Sequence, residues 1–189
     1  MKLYLTKIND FVERLDTDLQ TALNRVSTRR QFAKGSYLLR SGDICRHSFL
    51  LVEGAARKFY LTEAGKDVTT EFYFPDDLAV SLQSYTLQEP GVEFIQALAE
   101  TVVLMIDYAA VQKLKIIHPK LLELDLMLVE YYAMWLEERL FQFHSFDASE
   151  RYRQLLVNQP EFVRKVNLTY IASYLGVSLE TLSRIRAKI

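Results

Sequence analysis

Residues 167–189, NLTYIASYLGVSLETLSRIRAKI, constrain the fold more than any other stretch. Leu168, Ile171 and Leu175 recur at helical spacing on one face, with Ala172 beside them. Gly176 follows, where a left-handed C-cap would release the helix, and Ser178 can cap a new one through its hydroxyl. On that second helix Leu182 and Ile185 are expected to face inward, and the small Ala172 lets the two helices approach closely. The spacing predicts a helix, a tight turn and a second helix.

Such a pair is the helix-turn-helix pattern, whose second helix lies in a DNA major groove. The outward side of this one carries Glu180, Thr181 and Arg184, with Arg186 and Lys188 further on. Arginine can read guanine O6 and N7, and glutamate can accept from cytosine N4. The plainer alternative is a helical hairpin with a charged solvent face. Local charge favours DNA: residues 150–189 hold seven Lys/Arg against three Glu, although the whole chain is at −1. That overall balance argues against a wholly basic, nonspecific nucleic-acid binder.

The 189 residues suffice for one large or two small domains. No apolar run approaches the roughly 20 residues of a membrane span, so no membrane association is expected. The N-terminal MKLYLTKINDFVERL is too polar and periodic for a signal peptide. The single cysteine, Cys45, excludes an intrachain disulfide and any multi-cysteine metal or iron–sulfur site within one subunit. The cytoplasm is the expected compartment, with no cofactor and no metal.

Residues 3–24 read as one packing helix, with Leu3, Lys7, Asp10 and Arg14 mixed among Leu5, Ile8, Phe11, Val12, Leu15, Leu19 and Leu23, an apolar set that recurs at three and four. From 31 to 107 the pattern becomes short strands between turns: 48–52, 56–61, 68–74, 94–99 and 102–106, rich in aromatic and β-branched residues. Their even spacing suggests a sandwich or barrel. Helix returns at 108–117, His118-Pro119 breaks it, and a long helix runs from 120 to about 144. Leu122, Leu126, Val129, Ala133, Leu136 and Leu140 form one apolar stripe on it; Leu121, Leu124, Leu128, Tyr131 and Trp135 form a neighbouring one. Two stripes need two partners, and a second copy of the chain in a coiled coil is the simplest for the first. The alternative is a central helix inside a monomer. Phe141, Phe143 and Phe146 cluster at the end of the long helix as candidate hinge packing. Asp147 to Glu150 resembles a capping box opening a helix to about Asn158, Gln159-Pro160 interrupts, and Asn167 caps the next helix.

Leading helix, β-roll, long helix and C-terminal helix-turn-helix resemble, in that order, the CRP/FNR family of bacterial transcription regulators. Lys34-Gly35-Ser36, Ser41-Gly42-Asp43, Val52-Glu53-Gly54, Gly65 and Phe74-Pro75 stand in the order of that family's cyclic-nucleotide-binding-type β-roll, and Ser178, Glu180, Thr181 and Arg184 match its S-x-E-T-x-x-R recognition helix. The fold class is then α+β. An antiparallel, jelly-roll-like sensor domain spans 1–117, a dimerisation helix and hinge 118–145, and a helix-turn-helix domain 146–189. The resemblance implies a homodimer on a pseudo-palindromic operator, with RNA polymerase as a further partner and a small-molecule effector of unspecified identity. By position, Glu180 and Arg184 would contact bases, assisted by Ser178 and Thr181, while Asn167 and Thr169 would hold phosphates. Leu179 stands where many relatives place Arg, which changes readout at one base pair. The sequence stops at Ile189, where the family usually adds a β-hairpin wing, and fewer backbone contacts are expected.

Relatives that bind cyclic AMP use a Gly-Glu-Leu run and an Arg-Ser pair. The matching run here is Val80-Ser81-Leu82, and Glu89-Pro90-Gly91-Val92-Glu93-Phe94 replaces the pair. Between Lys66 and Lys113 there is no Lys or Arg, while eight acids occur. A buried phosphodiester needs a charge-assisted partner. The facing helix would offer Leu136 and Glu137. Cyclic AMP is therefore not expected as the effector; the pocket would be filled by its own side chains or hold a neutral or apolar ligand. Oxygen sensing through a cysteine cluster fails on Cys45 alone, and His47, His118 and His144 read as surface or packing residues rather than haem ligands.

Two rival readings remain. An enzyme of cupin type would need clustered metal-ligating histidines, which this sequence lacks, and no nucleophile–base pairing or Gly-rich phosphate loop is visible. A ligand-sensing or interaction module without specific DNA binding is the second, with Glu180 and Arg184 arguing against it.

Overall fold

The structure, a computed structural model, describes residues 2–158 and 160–188, and of residues 2–5, 161 and 162 the backbone only. Gln159, Ile189 and the side chains of Leu3 and Leu5, all named above, lie outside that description. The chain opens with α1 (Lys2–Glu13) and α2 (Thr17–Arg25). The strands β1 (Ser27–Phe32), β2 (Tyr37–Leu39), β3 (His47–Glu53), β4 (Ala56–Leu61), β5 (Asp67–Tyr73) and β6 (Leu78–Ala79) follow. Next come α3 (Leu82–Leu87), β7 (Glu93–Ala97), β8 (Thr101–Asp107), α4 (Tyr108–Ile117) and α5 (Lys120–Ser145). The remainder is α6 (Ala148–Asn158), α7 (Pro160–Lys165), α8 (Leu168–Tyr174) and α9 (Leu179–Arg186).

The described elements form two compact units, one of residues up to Thr28 with Ile106–Ser145, the other of Arg29–Met105 with the residues from Phe146 onward. In the first, Leu15, Leu19 and Leu121 make a small core with Phe11, Leu23, Leu114 and Leu124 packed against it. The single leading helix expected over 3–24 is in fact two. Asp16 intervenes, extended, and its carboxylate accepts from Leu19 N–H at 2.9 Å to start α2. A short polar side chain at that point competes with the helical backbone and wins as a cap. On α5 the two stripes have different fates. Leu121 is buried and Leu124, Leu128, Tyr131 and Trp135 are half-buried, whereas Leu122, Leu126, Val129, Ala133, Leu136 and Leu140 are all exposed. Phe141 and Phe143 are exposed on its last turns.

The second unit is built on two four-stranded sheets, in the orders β1-β8-β3-β6 and β2-β7-β4-β5. Leu39, Phe49, Leu51, Ala56, Tyr73, Ala79, Ile95 and Val103 fill the space between them. This is the jelly-roll-like antiparallel arrangement expected. The strands β1, β2 and β6 and the helix α3 are absent from the sequence reading: β2 and β6 have only three and two residues and α3 only six, and the six residues of β1, STRRQF, are polar and mostly exposed, so none leaves an apolar alternation.

Residues 146–188 form their own core. Tyr152, Leu155, Val166, Ile171, Ala172, Leu175, Leu182 and Ile185 are buried together, and Phe72, Phe74 and Leu98 of the β-sandwich pack against them. Strand β5 is the edge of its sheet, with unpaired backbone groups to satisfy. Helix α8 lies there: Ser173 Oγ accepts from Thr69 N–H at 2.9 Å and donates to the Asp67 carbonyl at 3.1 Å.

Candidate nucleic-acid interface and sensor pocket

The C-terminal pair takes its geometry from its caps. Asn167 is extended, and its Oδ1 accepts from Thr169 N–H at 2.9 Å to begin α8. At the other end Gly176 adopts φ +71°, its N–H donating to Ser173 and that of Val177 to Ala172, both at 3.0 Å. These two bonds make a Schellman motif, and the positive φ explains the glycine. Ser178 then accepts from Thr181 N–H at 3.2 Å and opens α9. Leu182 and Ile171 are fully buried between the helices, with Ala172 beside them.

The opposite side of α9 is polar and open. Ser178, Leu179, Glu180, Arg184, Arg186 and Lys188 are exposed, and Thr181 is half-buried. Arg184 Nη2 donates to Thr181 Oγ1 at 3.3 Å, and Ser178 Oγ lies 3.2 Å from the same oxygen. A hydroxyl chain thus steadies the guanidinium one turn ahead of it. Glu180 sits in the first turn, where its own backbone N–H, then the Ser178 hydroxyl and the Arg184 charge, hold its carboxyl below the ordinary glutamate value. The helix therefore presents a carboxylate acceptor and a cationic fork four residues apart. Asn167 and Thr169 stand exposed at the start of α8, with the Asn167 oxygen committed to its cap.

Arg151 escaped the sequence reading. Its Nη1 donates to the Phe146 carbonyl at 2.6 Å and its Nη2 to Leu175 at 3.1 Å, tying the entry of the C-terminal segment to the end of α8. Ahead of it Asp147 caps α6 by accepting from Glu150 N–H at 2.9 Å. Glu150 pairs with Arg153 and Gln154 instead of reaching back, so the capping box is only half made.

In the sandwich, Val80 and Leu82 are half-buried and Ser81 is buried at the start of α3. Ser81 does not cap that helix; its hydroxyl donates to Glu93 Oε2 at 2.5 Å. The absence of Lys and Arg after Lys66 had suggested a region without cations. The fold supplies one from β4. Lys58 Nζ lies 2.5 Å from Glu71 Oε1, 3.6 Å from Glu93 Oε1 and 3.3 Å from the Val80 carbonyl. Tyr73 donates its hydroxyl to Glu71 at 2.7 Å. At this cluster one ammonium stands between two carboxylates, so acidic groups outnumber basic ones there. The signal available in the sequence was the pair Arg57-Lys58, two adjacent cations inside a strand that is otherwise apolar and aromatic. Leu136 and Glu137 lie exposed on α5, in the other compact unit.

Arg40 and Arg57 are the other cations of note, each over an aromatic ring: Arg40 over Tyr37 at 4.2 Å, and Arg57 over both Phe59 and Tyr170. Among the described residues no group of three or more His, Cys, Asp or Glu could hold a metal ion, and no helix is long and apolar enough to cross a membrane.

Comparison with known proteins gives consistent matches. The cyclic nucleotide-binding domain family matches residues 29–116. The anaerobic regulatory protein of Aggregatibacter actinomycetemcomitans is 26% identical over 174 residues, covering 86% of this chain and 66% of that protein. The fumarate and nitrate reduction regulatory protein of Vibrio cholerae is 29% identical over 176 residues, covering 85% and 68%. The chain thus spans about two thirds of the length of these relatives. Among solved structures, FixK2 from Bradyrhizobium japonicum superposes with a TM-score of 0.73 at 20% identity, over 86% of this chain and 84% of that one. The c-di-GMP-responsive global regulator CLP of Xanthomonas campestris gives 0.73 at 14% identity, over 92% and 91%. At those identities the two superpositions speak for the fold alone.

Proposed function

We propose that this chain, which belongs to the CRP/FNR family of regulators, is a homodimeric, sequence-specific DNA-binding transcription regulator that does not use cyclic AMP as its effector. The observation that carries the reading is α9 itself. Its inner face is fixed by buried Leu182 and Ile185, while Glu180 and Arg184 stand exposed on its outer face with Arg184 steadied by Thr181. A carboxylate can accept from cytosine N4 and a guanidinium can span guanine O6 and N7. Arg186, Lys188, Asn167 and Thr169 flank them as phosphate contacts, which set position rather than sequence. Leu179, exposed beside Glu180, offers an apolar surface to one base pair.

The exposed stripe Leu122, Leu126, Val129, Ala133, Leu136 and Leu140 supports a second copy as the partner of α5. Two recognition helices related by a twofold would meet half-sites about 34 Å apart. The Lys58, Glu71 and Glu93 cluster supports the exclusion of an anionic cyclic nucleotide from the roll. Contact with RNA polymerase follows from the regulatory role and is part of the proposal.

Selection of bound sequences from a random duplex library by the purified protein, without ligand, tests the reading. An enriched inverted repeat is expected. Arg184→Ala should weaken binding to that repeat by about 1–3 kcal/mol and leave random DNA nearly unaffected. Equal losses on both would contradict base readout by Arg184.

A further inference from the structure

We infer that Arg57, Tyr170 and Ser173 dock the helix-turn-helix on the edge of the sensor sheet, so that strands β4 and β5 position the recognition helix. Arg57 is a buried residue of β4 whose guanidinium is fully engaged in its own plane. Nη1 and Nη2 grip the two Asp67 oxygens at 2.6 and 2.7 Å. Nη1 also donates to Thr69 Oγ1 at 2.9 Å, and Nη2 and Nε donate to Gln96 Oε1 at 3.1 and 3.3 Å. All five N–H donors are used by sensor residues. The two faces of the plane remain for stacking. One is 3.9 Å from the Phe59 ring centroid, within the sandwich unit's sheet. The other is 3.8 Å from the ring of Tyr170, on α8.

A guanidinium fixed at its edge by five bonds is a rigid seat for an aromatic ring. Ser173, one turn further along α8, replaces a missing strand neighbour by serving both Thr69 N–H and the Asp67 carbonyl. Asp67 thus binds Arg57 through its side chain and Ser173 through its backbone, and Thr69 does the same. Tyr174 adds an edge-on contact to Phe72, with ring centroids 5.3 Å apart. The contact is therefore polar, cationic and aromatic at once, and specific in register. Arg57 touches no DNA; it is a positioning residue for α9, which α8 carries through their shared core of Ile171, Leu175 and Leu182. A motif tethered through Phe146 and α6 alone would sample a wider range of aims.

The inference rests on the dimeric reader proposed above, and two readouts separate them. The first is library selection with inverted half-sites at variable spacing. The second is amide hydrogen exchange at Thr69 in the free protein. The wild type should enrich a single spacing. Tyr170→Leu and Ser173→Ala should each enrich the same half-site over a spread of spacings, and speed Thr69 exchange by about tenfold or more. Tyr170→Phe keeps the ring and should match the wild type. If both disruptive variants keep the single spacing, or if Thr69 exchange is unchanged, the positioning role is wrong. If the wild type enriches no inverted repeat, the dimeric reader fails and the exchange measurement alone decides the docking. Should Tyr170→Leu fail to fold, Arg57→Lys replaces it in both assays, since lysine retains the charge without the planar seat.

Discussion

Lys58 and Glu71 face each other directly across β4 and β5, Nζ 2.5 Å from Oε1, with the lysine side chain only 2% exposed. A cation this deep is stable only because two carboxylates and a backbone carbonyl surround it. Lys58→Ala would leave Glu71 and Glu93 facing each other without it, and should cost about 3–5 kcal/mol in urea unfolding. Lys58→Met combined with Glu71→Gln should recover much of that loss, because the amide oxygen still accepts from Tyr73. A single-variant cost near zero would mean the pair does not hold the roll together.

The same cluster bears on ligands. Cyclic AMP at millimolar concentration should leave the melting temperature of the protein unchanged, because acidic groups outnumber basic ones at that cluster. A dose-dependent rise in melting temperature would overturn the exclusion.

Dimerisation is testable on α5. Leu126 and Leu140 are 58% and 60% exposed, so replacing them should not disturb the monomer's own packing. Leu126→Glu with Leu140→Glu should yield a folded monomer by light scattering and strongly reduce affinity for an inverted repeat. A stable dimer of the double variant would place the interface elsewhere.

Gly42 and Gly54 share a φ of +89° but not their surroundings. A Cβ on Gly42 meets nothing within 4 Å, whereas one on Gly54 would lie 2.3 Å from the Glu100 carbonyl oxygen and 2.7 Å from Thr101 Cα. Gly42→Ala should cost about 1–2 kcal/mol for the left-handed backbone alone. Gly54→Ala should exceed it by about 1–3 kcal/mol, because a backbone clash cannot be relieved by a rotamer. Equal costs in chemical denaturation would remove the packing explanation.

Acid should weaken the cap of α6 in a defined direction. The Glu150 N–H holds the Asp147 carboxyl below its ordinary value, so the folded pKa lies under the unfolded one. The cap's contribution is complete above the ordinary carboxylate range near pH ~4 and is lost as pH falls below it, through the folded value. Asp147→Asn caps without titrating. It should flatten the acid limb of melting temperature against pH, and an unchanged limb would assign acid sensitivity to other groups.

The sequence by itself determined what is local and periodic. The caps at Asn167 and Ser178, the turn at Gly176 and the burial of Leu182 follow from residue types a few positions apart, and the long helix follows from its apolar repeats. The alternating strands were legible for the same reason, the very short β2 and β6 and the polar β1 excepted. Only the tertiary structure decided what depends on strand pairing and docking. Lys58 met Glu71 because β4 and β5 pair in one register, and no count of cations between Lys66 and Lys113 could foresee that. Arg57 met Tyr170 because α8 covers the edge of β5, joining residues more than a hundred positions apart. Whether an exposed charge is solvated, or a buried one is paired, depends on which distant backbone is folded against it, and spacing along the chain carries no record of that contact.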